Sequence, residues 1–196
     1  HGRDATAALA YDGTAEPAID RTRGTTMQDS VAIVLREVAD ADLHAFYSYL
    51  QDPQAQAMAA SIVEDGNDPQ AFDAYWARMR RSPTAVMRTI ALAEDPEHGV
   101  VGHIERFDDE DRPHIRYWID REHWGRGIGT EALRRFLTDV VHERPLFARQ
   151  TRSNEASAAI LRKNGFKQVS EDTGYDAMRG RMVDDLCTLV ASTVPL

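Results

Sequence analysis

The sequence predicts an α+β domain built on a mixed, largely antiparallel sheet. Two observations carry that reading. Between Thr84 and Asp120, three strand-like apolar runs are separated by short turn-rich connections, the pattern of antiparallel hairpins. After three closely spaced glycines, an amphipathic helix, a strand, a second helix and two further strands follow in turn, so helices must cover a sheet.

Residues 1–30 are rich in Ala, Thr, Asp and Gly with no helical or strand period, and we read them as an arm outside the core fold. An arm of that composition is ordered by lying on something, so a homodimer is one expectation. The domain then spans residues 31–190, with 191–196 as a tail. Val31 to Leu35 read as a strand, and Asp40 as the cap of a helix carrying Leu43, Phe46, Tyr47 and Leu50. Gln51 to Asn67 reads as a connection whose apolar patch, from Met58 to Val63, can line a substrate entrance. Asp68 and Pro69 sit at cap and first-turn positions of a helix with the stripe Phe72, Tyr75, Trp76 and Met79, ended before Pro83. Strands follow at Thr84 to Ala93, Val100 to Phe107 and His114 to Asp120. The helix after the glycines buries Ala132, Leu133, Phe136, Leu137, Val140 and Val141 against the sheet. A strand at Leu146 to Arg152, a helix from Asn154 stopped by Gly165, and strands at Phe166 to Ser170 and Met182 to Val190 complete the order.

No apolar run approaches the ~20 residues of a membrane span, and the first residues lack a secretory apolar stretch, so we expect a cytoplasmic protein with no membrane partner. The net charge of -9 argues against nucleic acid, which needs a basic surface. A single cysteine, Cys187, excludes an internal disulfide and cysteine-based zinc sites, and it reads as a packed thiol; no metal is expected.

The chemistry concentrates in His123-Trp124-Gly125-Arg126-Gly127-Ile128-Gly129-Thr130, between a strand and a helix. Glycines at alternate positions free consecutive backbone N–H groups to converge on phosphate oxygens, and the positive end of the next helix adds attraction. The spacing fits neither a Gly-Lys-Ser/Thr nucleotide loop nor a dinucleotide fingerprint. Taken alone, the glycines suit an anion cradle or a ligand-free structural turn.

Here the residues resemble the GNAT superfamily of acyl-CoA-dependent N-acyltransferases, whose strand-loop-helix ends in Gly-x-Gly/Ala as Gly127-Ile128-Gly129 does. The superfamily's Gln or Arg falls on Trp124. That residue, with Tyr117-Trp118-Ile119-Asp120 and Thr130-Glu131-Ala132, looks like the branch containing ribosomal-protein N-terminal acetyltransferases. A second block, Asn154-Glu155-Ala156-Ser157 through Leu161 to Phe166, stands at the superfamily's spacing. The resemblance implies a sheet splayed after its fourth strand, flanked by about four helices. Acetyl-CoA would run its pantetheine arm along Trp118 and Ile119 and place its pyrophosphate on the run Gly125, Arg126, Gly127, Ile128, Gly129 and Thr130, with Trp124 also at the cofactor and the Arg126 side chain at the 3′-phosphate. Asn154 and Ser157 would meet the pantetheine or adenosine side. It implies transfer of the acetyl group to an amine, whether a protein N-terminus, a lysine or a small molecule; the alternative is a non-catalytic acyl-CoA-binding module.

An amine of pKa ~10 is only about 0.1% neutral at pH 7, so transfer needs a proton acceptor. By the two-residue strand period His103 and Glu105 share one face, as do His114, Arg116 and Trp118, and hairpin pairing can join them. Glu105 and His114 are the candidate acceptors, and Glu131 reads as a stabiliser of the helix terminus. The family's backbone donor to the oxyanion would lie near Ile119. Its thiolate-protonating tyrosine is replaced by Leu161; Ser157, one helical turn back on the same face, is the candidate hydrogen-bond partner of the sulfur.

Overall fold

The computed structural model describes residues 31–58, 68–176 and 181–192, with the side chains of 171–188 outside that description. The arm, most of the 51–67 apolar patch and the Cys187 side chain therefore lie outside the described residues. Seven strands form one sheet in the order β1-β2-β3-β4-β5-β7-β6. They are β1 Ile33–Arg36, β2 Val86–Leu92, β3 Val100–Asp109, β4 Arg112–Ile119, β5 Leu146–Thr151, β6 Lys167–Asp176 and β7 Arg181–Ala191. Every pairing is antiparallel except β4 with β5. That parallel pair has one register match, His114 with Phe147, and beyond it the strands part.

Helices α1 (Asp42–Leu50), α2 (Pro53–Met58) and α3 (Pro69–Arg81) precede β2, while α4 (Ile128–Arg135) and α5 (Glu155–Lys163) follow β4 and β5. Two cores result, one on each sheet face. Ile33, Ile90, Ile104, Ile115, Leu133, Phe136 and Leu161 belong to the core under α4 and α5. Phe46, Phe72, Tyr75, Trp76, Met79 and Trp118 belong to the core under α1 to α3.

The α3 stripe is buried as its spacing requires, and Asp68 caps that helix by accepting the Gln70 N–H, with Pro69 at the first turn. Two local expectations are corrected. Asp40 does not cap α1: Ala41 stands at the cap without a side-chain bond, and Asp42 instead accepts the Ala39 N–H. The connection after Gln51 contains a helix, α2, which raises the α-helices to five; its signal was Asp52, whose carboxylate accepts from Gln54 and Ala55, beside Pro53. The last strand also takes in Ala191, one residue past the expected boundary.

Candidate active site

A cavity of about 530 Å³ opens where β4 and β5 part. β4 stays paired with β3 along its length, but past His114 it lacks a β5 partner, so backbone groups on that side face the gap. Such an edge pairs with an extended, amide-bearing chain laid beside it. The Ile119 carbonyl faces this side and accepts the Trp124 indole N–H at 2.8 Å. In a strand paired antiparallel the N–H of a residue points the same way as its carbonyl, so the Ile119 N–H faces the gap too.

The slot leads into the glycine loop. Gly125 and Gly127 hold φ of 74° and 78°, left-handed values that side-chain-bearing residues adopt only under strain. With those two turns the chain doubles back and starts α4 directly at the cavity. The first α4 helical bond runs from the Glu131 N–H to the Gly127 carbonyl, so the N–H groups just before it have no partner within the helix. Gly129 has a packing duty as well: a Cβ there would stand 2.7 Å from Ile160 Cδ1 of α5. Arg126 and Lys163 bring positive charge to this part of the wall. Unpaired N–H groups, a helix N-terminus and two cations fit a pyrophosphate; open strand edge and the buried, unpartnered Gln150 Oε1 in the same wall fit the amides of a pantetheine arm.

All the residues expected at the cofactor line this cavity: Trp118, Ile119, the run Trp124 to Thr130, Asn154 and Ser157. Asn154 also caps α5, accepting the Ser157 N–H at 2.9 Å, and donates to the Met58 carbonyl at 2.8 Å. The cap thereby ties α5 to α2 across the mouth of the gap. Glu131 is held by Arg134 and Arg135, whose hydrogen bonds pull its carboxyl down to about 2 despite partial burial.

The candidate proton acceptors stand differently. The β3–β4 register does bring the two sets together, placing Glu105 opposite Arg116 and His103 opposite Trp118. Glu105, however, is fully buried, does not line the cavity, and has both oxygens engaged. Oε1 accepts Arg116 Nε at 2.7 Å and Oε2 accepts the Tyr75 hydroxyl at 2.8 Å. Burial alone would raise its pKa, but Arg116 and these hydrogen bonds outweigh it and hold the carboxyl below its ordinary value. A carboxylate so committed holds Arg116 rather than taking a proton from an amine. Burial pushes the neighbouring His103 down to about 4, so it is neutral, packed on Phe46 and Trp76 with Nδ1 unpartnered.

His114 stands at the vertex of the splay between the Phe107 and Phe147 rings, outside the cavity wall. Its Nδ1 lies 3.1 Å from the Arg112 carbonyl, a partner that fixes the proton on Nδ1 and leaves Nε2 as the acceptor. Burial, offset in part by that bond, keeps its pKa below the ordinary value.

One polar residue of the cavity wall was given no role by the sequence reading. The Tyr117 hydroxyl of β4 reaches Ser157 Oγ at 2.9 Å, in the cavity wall where the sulfur partner was sought. Burial pushes it up to about 12.

Among the described residues no group of His, Cys, Asp or Glu is arranged to hold a metal, and no helix is long and apolar enough to cross a membrane. A family model described as an acetyltransferase (GNAT) domain matches residues 32–167. The sequence has no match among curated proteins. Among solved structures, the spermidine N-acetyltransferase of Vibrio cholerae in complex with CoA and spermine superposes with a TM-score of 0.68 at 12% identity, over 82% of this chain and 95% of that one. A GNAT-family acetyltransferase from Bacillus anthracis gives 0.64 at 15% identity over 83% and 96%. A protein from Salmonella typhimurium, solved with its cofactor acetyl-CoA, gives 0.64 at 18% identity over 82% and 94%. Likeness at these identities speaks for the fold alone. The family model spans the splay, the glycine loop and the α5 block together, and the chain belongs to the GNAT acetyltransferase family.

Proposed function

We propose that the protein is an acetyl-CoA-dependent N-acetyltransferase that moves the acetyl group to a primary amine by direct attack. The observation that carries this is a single cavity joining an open strand edge to a helix-starting glycine loop. Trp124, standing where the wider consensus has Gln or Arg, supports placement in the branch resembling ribosomal-protein N-terminal acetyltransferases. We place the reaction in the cytoplasm, where acetyl-CoA is made.

When bound, acetyl-CoA supplies an activated acetyl thioester and a thiol leaving group. The N–H groups from Gly125 to Thr130, with Arg126 and Lys163, bind its phosphates, and the free edge of β4 aligns the pantetheine. The Ile119 N–H donates to the oxyanion that develops on the acetyl carbonyl. As the N–C bond forms and the C–S bond breaks, the amine's proton leaves through water in the cavity, with His114, the candidate acceptor not already engaged by a cation, as its proposed end point, and the sulfur leaves with its electron pair. The Tyr117–Ser157 pair hydrogen-bonds that sulfur. Burial makes the Tyr117 hydroxyl a weaker acid than the departing thiol, so the pair donates a hydrogen bond to the thiolate and solvent protonates it.

Leu161 in the place of the family tyrosine favours one other reading, a non-catalytic acyl-CoA-binding module. Thiol release from acetyl-CoA, followed across a panel of amines, separates the two. Transfer predicts acceptor-dependent release, with an acid limb below pH 6.5 that is abolished or displaced in His114→Gln, because the imidazole must be neutral to accept a proton. Cofactor binding without release from any amine selects the module. An acid limb unchanged in His114→Gln removes His114 from the mechanism.

A further inference from the structure

We propose that the acceptor is a small amine that also carries an oxyanion, the α-amino acids being the simplest class, and that Arg116, in the same cavity wall as Arg149, binds the anionic group. The inference rests on the acetyltransferase reading above and adds what the acceptor end of the cavity selects.

In a chain of net charge -9, the described residues of the cavity wall include Arg116, Arg126, Arg149 and Lys163 and neither an aspartate nor a glutamate. A polycationic acceptor would meet the reverse of the carboxylate-lined wall it needs. Arg126 and Lys163 belong to the glycine loop and the end of α5, where phosphates are to be held. Arg116 and Arg149 belong to β4 and β5. By strand alternation they project from the opposite sheet face to Ile115 and Ala148, which pack under α4 and α5. The phosphate end does not use this second pair, whose protein partners are carboxylates behind the wall: Glu105 for Arg116, and Asp109 and Glu110 for Arg149.

Arg116 is held ready for a ligand. Its Nε donates to Glu105 and its Nη2 to the Tyr75 hydroxyl, while the guanidinium lies 4.7 Å from the centre of the Phe107 ring and 5.1 Å from that of Tyr75. Nη1 has no hydrogen-bond partner among the described residues. A planar fork fixed on one edge by a buried carboxylate presents its remaining N–H groups in a set direction, which suits an oxyanion and repels a second ammonium. Burial works against the charge on Arg116, yet the Glu105 and Tyr75 oxygens outweigh it and keep the group ionised. Arg149 is engaged with Asp109 at 2.7 Å and Glu110 at 3.2 Å, half-exposed pairs of the kind that exchange readily for a ligand. The negative exterior does not oppose this, because exposed charges are screened over about 8–10 Å in physiological salt whereas the cavity's own cations act at contact.

The test uses the full chain with acetyl-CoA and paired acceptors: each α-amino acid against its decarboxylated amine, with spermidine and a C-terminally amidated peptide bearing a free N-terminus. We expect the best acceptor to be an amino acid, with kcat/KM at least tenfold above its decarboxylated partner, spermidine and the peptide. Arg116→Met should raise KM for that acid at least tenfold, leave turnover of the decarboxylated amine within about threefold, and leave the Kd of acetyl-CoA unchanged. Because Arg116→Met strands the buried Glu105 charge and can unfold the chain, the paired change Glu105→Gln with Arg116→Gln removes both charges together and should show the same selective loss. The wild-type ratios need no variant. A decarboxylated amine, spermidine or the peptide serving as well as the best acid overturns the proposal while leaving N-acetyl transfer intact, as does acetyl-CoA binding without turnover of any acid. Failure of the wild-type chain to bind acetyl-CoA would instead remove the acetyltransferase reading on which the proposal stands.

Discussion

In the proposed mechanism one hydrogen bond, between Tyr117 and Ser157, moves the sulfur-facing role from α5 to β4. Where the family resemblance implies a tyrosine, the chain has Leu161, a fully buried core residue, and the phenol that reaches this wall comes from β4 instead. Replacing Tyr117 with phenylalanine removes one hydrogen bond worth about 1 kcal/mol, so kcat should fall roughly fivefold to tenfold, with the Kd of acetyl-CoA within twofold. An unchanged kcat, measured by thiol release, would mean that the pair only packs the wall. None of this was visible in the sequence, because the meeting of residues 117 and 157 depends on where α5 lies over β4. Glu105 illustrates the converse. Its face and its neighbours followed from the strand period, but whether a buried carboxylate is free or saturated depends on Tyr75, which arrives from α3 through a separate core.

Among the elements, β1 and α1 are joined by a buried network whose behaviour with pH follows from its charges. Asp42 is nearly inaccessible and accepts from Arg36 at 2.6 and 2.8 Å, from the Thr89 hydroxyl at 2.6 Å and from the Ala39 N–H at 2.9 Å. Burial alone would raise its pKa, but these bonds prevail and leave it below the ordinary value. A carboxylate whose folded pKa is depressed contributes stability above its unfolded value of about 3.9, and the contribution vanishes as pH falls through the folded pKa. Asp42→Asn should therefore cost about 1–3 kcal/mol at pH 7 by denaturant unfolding, with the gap to wild type closing below about pH 4. A gap independent of pH would show that the charge is not what matters. The sequence placed α1 correctly and its cap wrongly, since Asp40 and Asp42 are equivalent by type and only the fold brings Arg36 and Thr89 to one of them. The β3–β4 turn is similar: Glu110 and Asp111, both at positive φ, make a two-residue hairpin without the usual Asn-Gly signal, so the strands run further than the expected Asp108-to-Pro113 loop allowed.

For the whole molecule, order of elements and the glycine loop that lines the cavity were legible because they rest on local signals: turn chemistry, a 3.6-residue stripe, alternating glycines and a family resemblance. The splay was legible only through that resemblance. Its physical trace is the single His114–Phe147 match, a long-range feature that no window of sequence contains. Arg116 was the least legible, since the strand period gives only its face, and the pairing with Glu105 beside the cavity depends on the fold.

The proposed transfer depends on a phosphate-bearing acyl donor seated at the loop from Gly125 to Thr130, and the most direct test is calorimetric titration of acetyl-CoA into the wild-type chain and Gly127→Glu. The added carboxylate stands where the N–H groups should meet pyrophosphate, at a left-handed backbone position with open space around it, so it strains the loop locally and repels the ligand. Wild type should bind, and the variant, shown to be folded by circular dichroism, should bind at least tenfold more weakly. A folded wild-type chain that takes up no acetyl-CoA, or a variant that binds as tightly, would contradict the account.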